Sequence, residues 1–472
     1  MNKFKLFIEN FLVFGLGGVI SKIIPLIMIP IVTRLMPSTE YFGISDLSST
    51  VVSFASALAI MGMYDAMYRM FFEKDDEEYK KSICSTALIF TLFASLVVFA
   101  LLVIFKEQIA HWFFSDRKYA YIIYISAMAT LVGATNSIIS APTRMQNKRK
   151  IFLITNTLSP LISYAISIPM LLAGYYTIAL PLAAVLSGVT MELAFAVLNH
   201  SWFDPGKFNF SLLKQLLVIA IPLLPNFLIY WIFNSCDKVM ITNIIGVGAT
   251  GMYSVGAKLG QCSQLIYTAF AGGWQFFAFS TMKEDNQVKS NSMIFEYLGI
   301  LSFVATAFIC ALSYPIYRIL FTEQYLAGYL VAPYLFLAPL LQMLFQVSAN
   351  QFIVVRKTWP NMLILSVGAL ANIAINYFLI PVLGIEGASL ATLMGYAISD
   401  VICVIVLCKM KLMVLEKKFI FAVVGMIAFF VSWRLFISND TILSIVLALI
   451  FSLYIVFLYR NDIFKLIRML KK

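Results

Sequence analysis

Charged side chains are scarce in this chain: 12% of its 472 residues, where a soluble domain carries about 25%. That is too little polar surface for the two or three water-exposed domains such a length would otherwise form. Histidine is nearly missing. His111 and His200 fall in different loops and offer no metal-ligand cluster. The six cysteines, Cys84, Cys236, Cys262, Cys310, Cys403 and Cys408, lie in or beside apolar segments and include no Cys-x-x-Cys pair. They read as small packing residues, not as a disulfide framework. No glycine-rich phosphate loop ending in Gly-Lys-Ser/Thr and no His-Glu-x-x-His occurs, so the chain reads as neither its own ATPase nor a zinc protease. The apolar stretches do not alternate with polar residues, which excludes an outer-membrane barrel. A soluble enzyme, a disordered protein and a disulfide scaffold are excluded with it.

What is present is apolar: 61% hydrophobic residues and a mean hydropathy of +0.90. A membrane-spanning helix needs about 20 mostly apolar residues. Fourteen such stretches follow one another, at 8–33, 42–68, 84–105, 120–143, 151–173, 177–199, 214–238, 251–279, 293–317, 331–354, 361–380, 387–408, 419–437 and 441–459. The expected fold is an all-α polytopic membrane protein. The first stretch follows Lys3 and Lys5, but it is too long for a signal-peptide core and is expected to stay as a span. With the N-terminus inside, 24 of the 34 Lys and Arg residues fall in inside loops and tails. The outside loops hold only Arg34, Lys106, Arg117, Lys118 and Arg318. Both termini are therefore expected in the cytoplasm, and the net charge of +11 is a topology signal and not a nucleic-acid surface. No loop is long enough to fold alone. The longest outside loop, 106–119, carries Trp112, Phe113 and Phe114 and is expected to lie along the interface.

Three short matches recur at one interval. Arg149-Lys150 matches Arg356-Lys357 at 207 residues. Gly43 opening span 2 matches Gly251 opening span 8 at 208, and Leu182-Ala183 in span 6 matches Leu390-Ala391 in span 12 at 208. Spans 1–6 and 7–12 thus read as two copies of a six-helix unit. Six is even, so the copies are parallel, around a central cavity suited to alternating access. The expected division is 1–200 and 201–410 for the lobes, with 411–472 holding two added spans and a tail. Each lobe opens with a helix expected to bend, through Gly17, Gly18, Pro25 and Pro30 in span 1 and Pro222 and Pro225 in span 7.

Polar groups inside the bilayer are costly and mark function or pairing. Lys22 lies midway in span 1, where a lysine cannot easily snorkel; it reads as a cavity cation for an anionic head group, against pairing with a neighbouring acid. Asn226, Tyr230, Asn234, Asp237 and Lys238 make a stripe along span 7, and Lys258 and Gln261 belong to another on span 8. With Gln342, Gln346 and Asn350 in span 10 and Asn372 and Asn376 in span 11, they argue for a wet cavity over interhelical hydrogen bonding. The candidate substrate-binding set is Lys22, Asn226, Tyr230, Asn234, Lys258 and Gln261. Asp65, Arg69, Glu192, Asp237, Lys238 and Asp400 are the candidates for gating or ion coupling. Among them Asp65 and Arg69 are spaced to pair on one face, and Asp237-Lys238 fits an interfacial ion pair equally well. Glu192 and Asp400 are separated by the repeat interval itself and read equally as a gate or as inherited structural glue. Asp46 is placed to take a cation from another span, and Arg434 to snorkel outward.

The run Pro30-Ile31-Val32-Thr33-Arg34-Leu35-Met36-Pro37-Ser38-Thr39-Glu40-Tyr41-Phe42-Gly43 resembles the junction of helices 1 and 2 in bacterial polysaccharide flippases, with Phe42 as an extra residue. Asp237-Lys238 with Gly251-Met252-Tyr253-Ser254-Val255-Gly256-Ala257-Lys258-Leu259 resembles their helix 7–8 junction, lysine standing where arginine is usual. Asn376-Tyr377-Phe378-Leu379-Ile380-Pro381 with Gly384-Ile385-Glu386-Gly387-Ala388 resembles their helix 11–12 signature. With fourteen spans the resemblance covers essentially the whole chain. It implies the polysaccharide branch of the multidrug/oligosaccharidyl-lipid/polysaccharide exporter superfamily: a transporter and not an enzyme, in the bacterial inner membrane, flipping undecaprenyl-pyrophosphate-linked oligosaccharides for O-antigen, capsule or exopolysaccharide. The partners implied are the lipid-linked oligosaccharide, membrane lipids, and a polymerase and chain-length regulator of the same pathway, with no nucleic acid. No cofactor is implied beyond a coupling ion, H+ or Na+. The alternatives are a cation-coupled multidrug exporter of the same superfamily and, from another class, a membrane-embedded polysaccharide polymerase.

Overall fold

The computed structural model describes residues 22–280, 286–355, 357 and 359–462. Among them every regular element is a helix, as the composition requires. Twelve of these helices are long and apolar enough to cross a membrane. Each coincides with one of the fourteen expected spans, those other than the first and the eighth. The chain divides into two compact units, Met1–Gly251 and Met252–Lys472.

In the first unit, residues 22–35 form α1; residues 8–21 of the first expected span lie outside the described residues. α2 (Thr39–Ile60) starts where the Ser38 hydroxyl accepts from the Glu40 N–H, with Glu40 complementing the helix dipole. It stops at Met61 and Gly62, both left-handed. A Cβ at Gly62 would sit 2.7 Å from the Ala220 carbonyl oxygen, so glycine is needed there twice over. The stretch expected as one span over 42–68 is therefore two helices, and α3 (Met63–Phe71) is the second. It buries Met63, Ala66, Met67 and Met70, at steps of three, one and three, and leaves Asp65 and Arg69 off that face.

α4 (Glu77–Ile104) is capped by the Asp76 carboxylate. The loop expected at the interface contains a short helix, α5 (Lys106–Phe114), which buries Ala110 and Phe114 and exposes Trp112. α6 (Ala120–Met145), α7 (Arg149–Leu172) and α8 (Ala179–Asn199) follow. Next comes span 7 in three pieces, α9 (Phe210–Ala220), α10 (Leu224–Trp231) and α11 (Asp237–Ile244). A 3-10 turn at Ile221–Leu223 holds Pro222, and a π turn occupies Ile232–Cys236. The α-helix is interrupted at Pro222, where a bend is expected, because proline removes a backbone donor and crowds the preceding turn. Met63, Met67 and Met70 of α3 pack with Cys84, Ile138 and Leu216 at one end of the unit. Ile44, Leu47 and Val51 of α2 pack with Phe114 and Ile122 at the other. In lipid such packing stabilises through dispersion contact more than through exclusion of water.

α12 (Val247–Gly260) begins in the first unit and ends in the second. The eighth expected span is interrupted after it: α13 (Ser263–Ser280) restarts past a turn at Gln261 and Cys262. The second unit continues with α14 (Gln287–Leu320), α15 (Gly328–Val354), α16 (Trp359–Leu383), α17 (Ile385–Lys409), α18 (Lys417–Ser432) and α19 (Thr441–Leu458). α15 is buried on all sides, its polar Ser348, Asn350 and Gln351 included, and is the buried centre of this unit. Phe419 of α18 lies against α14, where a Cβ at Gly299 would sit 2.6 Å from its ring. α19 buries Ser444, Ala448, Phe451 and Ile455 and exposes Ile442, Leu449, Leu453 and Phe457, the spacing of a helix with one face in lipid. Exposed leucine, isoleucine and phenylalanine on α4, α18 and α19 likewise form the broad apolar outer surface a spanning protein needs.

Candidate functional site

A buried ion pair in the first unit joins α11 to α2. Lys238 Nζ lies 2.7 Å from Asp46 Oδ2, with both side chains largely buried. Here Asp46 takes a cation from another span, and the cation is the lysine of the Asp237-Lys238 pair. The Lys238 N–H donates to Asp237 Oδ1 at 3.1 Å. Neighbouring bonds hold this arrangement in place. Trp231 Nε1 donates to Ser53 Oγ of α2 at 3.1 Å, the Thr242 and Thr250 hydroxyls meet at 2.6 Å, and Asn243 Nδ2 donates to the Trp112 carbonyl at 2.8 Å. The same region has a very close helix crossing. A Cβ at Gly251 would fall 1.9 Å from the Thr39 carbonyl oxygen, and one at Gly43 would fall 2.2 Å from that of Val247. The two glycines paired by the repeat interval thus face each other across α2 and α12.

The other sequence candidates fall in several places. Lys22 is exposed on α1. Asn226 and Tyr230 are half-buried on α10; Asn234 is exposed in the π turn, with its amide bonded to the Tyr230 carbonyl at 2.7 Å. Lys258 is half-buried on α12 and Gln261 is exposed at the break after it. Asp65 and Arg69 share α3 and both are exposed there, with no ion pair between them. Arg69 instead lines a cavity of about 330 Å³ with Glu73, Lys214 and Gln215, between α3 and α9.

Glu192 and Asp400 differ in their surroundings despite their equal place in the repeat. Glu192 accepts from the Thr135 hydroxyl at 2.5 Å. Asp400 is 7% exposed and neither of its oxygens has a hydrogen-bond partner. In span 11 the polar residues are interhelical glue and not a cavity wall: Asn376 donates to Asn372 at 3.3 Å and Asn372 to Thr392 of α17 at 3.1 Å, all fully or nearly buried. Arg434 does not snorkel away. A π turn at Trp433–Ile437 swings it onto α17, where its Nε donates to Glu386 Oε1 at 2.5 Å beside Tyr334. Arg434→Ala leaves the Glu386 carboxylate with the Tyr334 hydroxyl as a remaining donor. A loss of about 1–3 kcal/mol is expected, read as a lower melting temperature of the purified protein. Arg434→Lys restores the charge but not the planar guanidinium, so part of the loss remains.

One feature escaped the sequence reading. α6, α7 and α8 enclose a crevice of about 560 Å³, lined among others by Asn136, Ser140, Arg144, Asn156, Ser159 and Ser187. Arg144 lies over the Phe152 ring and donates to the Tyr64 hydroxyl at 3.2 Å. Hydroxyls, amides and one guanidinium in a membrane-embedded wall suit sugar hydroxyls and an anion. The signal was legible as Asn136 and Ser140 at i, i+4 on span 4 and Asn156, Ser159 and Ser163 on span 5, one helical face each. Among the described residues no group of three His, Cys, Asp or Glu side chains is placed to hold a metal.

Comparisons with known proteins place this architecture. Among solved structures, an inward closed conformation of the lipid II flippase MurJ is similar at 17% identity and a TM-score of 0.71, over 96% of this chain and 100% of that one. An inward-facing multidrug resistance MATE family transporter of the MOP superfamily is similar at 13% identity and 0.59, over 84% and 98%. A MOP superfamily transporter from Pyrococcus furiosus is similar at 14% identity and 0.54, over 86% and 95%. At these identities the likeness is one of fold. No curated protein matches the sequence. The family model described as "Polysaccharide biosynthesis protein" matches residues 31–329, well over half of the chain. By that match the chain belongs to the polysaccharide biosynthesis protein family, built on the fold shared by MurJ and the MATE transporters.

Proposed function

We propose that this protein is a flippase that moves undecaprenyl-pyrophosphate-linked oligosaccharides across the bacterial inner membrane by alternating access, for surface polysaccharide assembly. The observation that carries the reading is the family match to polysaccharide biosynthesis on a chain whose fold is similar to that of a lipid II flippase over 96% of its length. A polymerase or glycosyltransferase is less well supported, because the chain has no long loop in which to build a water-exposed catalytic centre. The substrate has an anionic pyrophosphate, a polar glycan and a long apolar tail. Lys22 and Lys258 supply cations, Asn226, Tyr230, Asn234 and Gln261 supply neutral donors and acceptors, and the tail stays in lipid. Lys238 is committed to Asp46 and acts in this scheme as a support of the binding helix, not as a ligand. A polymerase and a chain-length regulator are the expected partners, and H+ or Na+ the expected coupling ion.

The test is translocation of a pyrophosphate-linked oligosaccharide lipid in proteoliposomes, read by enzyme access to the outer leaflet. Wild type is expected to translocate. Lys22→Ala and Lys258→Ala are each expected to lower the rate about tenfold or more while keeping protein in the membrane, since a charge-assisted hydrogen bond is worth about 1.5–3 kcal/mol. Full rates in both variants sink the cavity-cation assignment, and no wild-type translocation with any partner or ion gradient sinks the flippase reading.

A further inference from the structure

We propose that Asp400 is a proton-binding carboxyl, occupied by a proton in this conformation. It lies on α17, is 7% exposed, and neither carboxylate oxygen receives a hydrogen bond. α17 packs against α15 and α16. Neither of those helices carries a single Asp, Glu, Lys, Arg or His; their only ionisable groups are Tyr329 and Tyr334 on α15 and Tyr377 on α16. On α17 the nearest ionisable neighbours are Tyr396, one turn before, and Cys403, one turn after. Among the described residues α15 and α16 offer no cation to pair with the acid, and Arg434, which does reach α17, is bonded to Glu386 toward the other end of that helix; a lone buried carboxylate is far costlier than a neutral carboxyl. The bonds Tyr334–Glu386 and Ser348–Cys403 tie α15 and α17 in parallel and set Asp400 level with residues 345–348.

The repeat supplies an independent control. In the first unit the equivalent acid, Glu192, is bonded by Thr135, 57 residues before it. At that same spacing before Asp400 the second unit has Met343, which is buried and has no hydroxyl. The acid is retained while its donor has been replaced by a thioether, so Asp400 is not inherited glue. Uptake of the proton turns carboxylate and hydronium into neutral carboxyl and water, and release reverses it; only the O–H bond changes. The site stands on the second unit alone, while its use as the coupling ion of transport rests on the flippase reading.

Infrared difference spectroscopy on the full-length protein in lipid tests the site without any transport assay. The wild type minus Asp400→Asn spectrum is expected to show a protonated-carboxyl C=O band at neutral pH that is lost at strongly alkaline pH. Met343→Thr is expected to shift that band by giving the carboxyl a new hydrogen bond, and it keeps the test open should the asparagine variant fold poorly. A carboxylate signal alone, no band in the difference, or loss of the band on adding Na+ at fixed pH overturns the proposal. In proteoliposomes the pH dependence of wild-type translocation is expected to flatten in Asp400→Asn. An unchanged profile overturns the coupling role, and absence of wild-type translocation with the band present overturns the flippase reading while the proton site stands.

Discussion

Lys238→Met is expected to lower stability by about 3–5 kcal/mol, the cost of leaving a buried charge without its partner. Asp46 is 7% exposed, and the lysine stands beside both Asp46 and Asp237. Removing it takes the cation from between two carboxylates at the α2–α11 contact. Against a typical total of about 5–15 kcal/mol, this approaches loss of the fold. The readout is the melting temperature and monodisperse yield of detergent-solubilised full-length protein. Removing both charges, Asp46→Leu with Lys238→Met, is expected to recover much of the loss, since an apolar pair of similar volume avoids the desolvation of two ions. A double variant as unstable as the single one shows that the pair matters for something other than charge balance. Translocation separates the roles further: a stable double variant that still flips substrate confirms Lys238 as a support and not a ligand.

The second large effect is expected at the α2–α12 crossing. In Gly251→Ala the new methyl group falls 1.9 Å from the Thr39 carbonyl oxygen, and in Gly43→Ala it falls 2.2 Å from that of Val247. These are backbone atoms on rigid helices, so no side chain can turn aside, and the helices must separate. Overpacking typically costs about 1–3 kcal/mol, and here the clash with main chain places both variants at or above that range. Small residues at such crossings let helix backbones meet closely in lipid, where little else drives helices together. Gly133→Ala is the control. Its nearest neighbour is 3.9 Å away on Ser56, and alanine favours helix by about 1 kcal/mol over glycine. It is expected to melt at or slightly above the wild-type temperature. Equal losses in all three variants refute the close-crossing argument.

Much of the architecture was written in composition and spacing. Bilayer thickness fixes the length of an apolar run, and unsatisfied backbone in lipid forces that run to be helix, so the class and nearly all span positions follow from the sequence. The 208-residue interval was equally legible, and it pointed to Gly43 with Gly251 and Glu192 with Asp400. Proline marked where span 7 bends. The break of span 2 at Met61 and Gly62 was not anticipated, because the apolar pattern runs through it and only left-handed backbone against Ala220 reveals the turn.

What the sequence could not decide was which polar residue finds a partner. Hydrogen bonding and pairing depend on distances between helices far apart in the chain, and helical spacing reports only on one helix at a time. Asp46 and Lys238 lie almost two hundred residues apart, and only packing of α2 on α11 made them an ion pair. Arg434 has the sequence setting of a snorkelling residue, but the π turn sets it on Glu386. Asn372 and Asn376 share a helical face that fits a wet wall, yet their bonds make them glue; the polar faces of spans 4 and 5 are visible in the sequence, but only packing joins them with α8 into one crevice. The sequence alone determined a helical membrane protein built on a repeat. The tertiary structure decided that one acid of the repeated pair is satisfied by Thr135 and that the other, Asp400, is buried without a donor among the described residues, because only three-dimensional packing sets which atoms come within hydrogen-bonding distance.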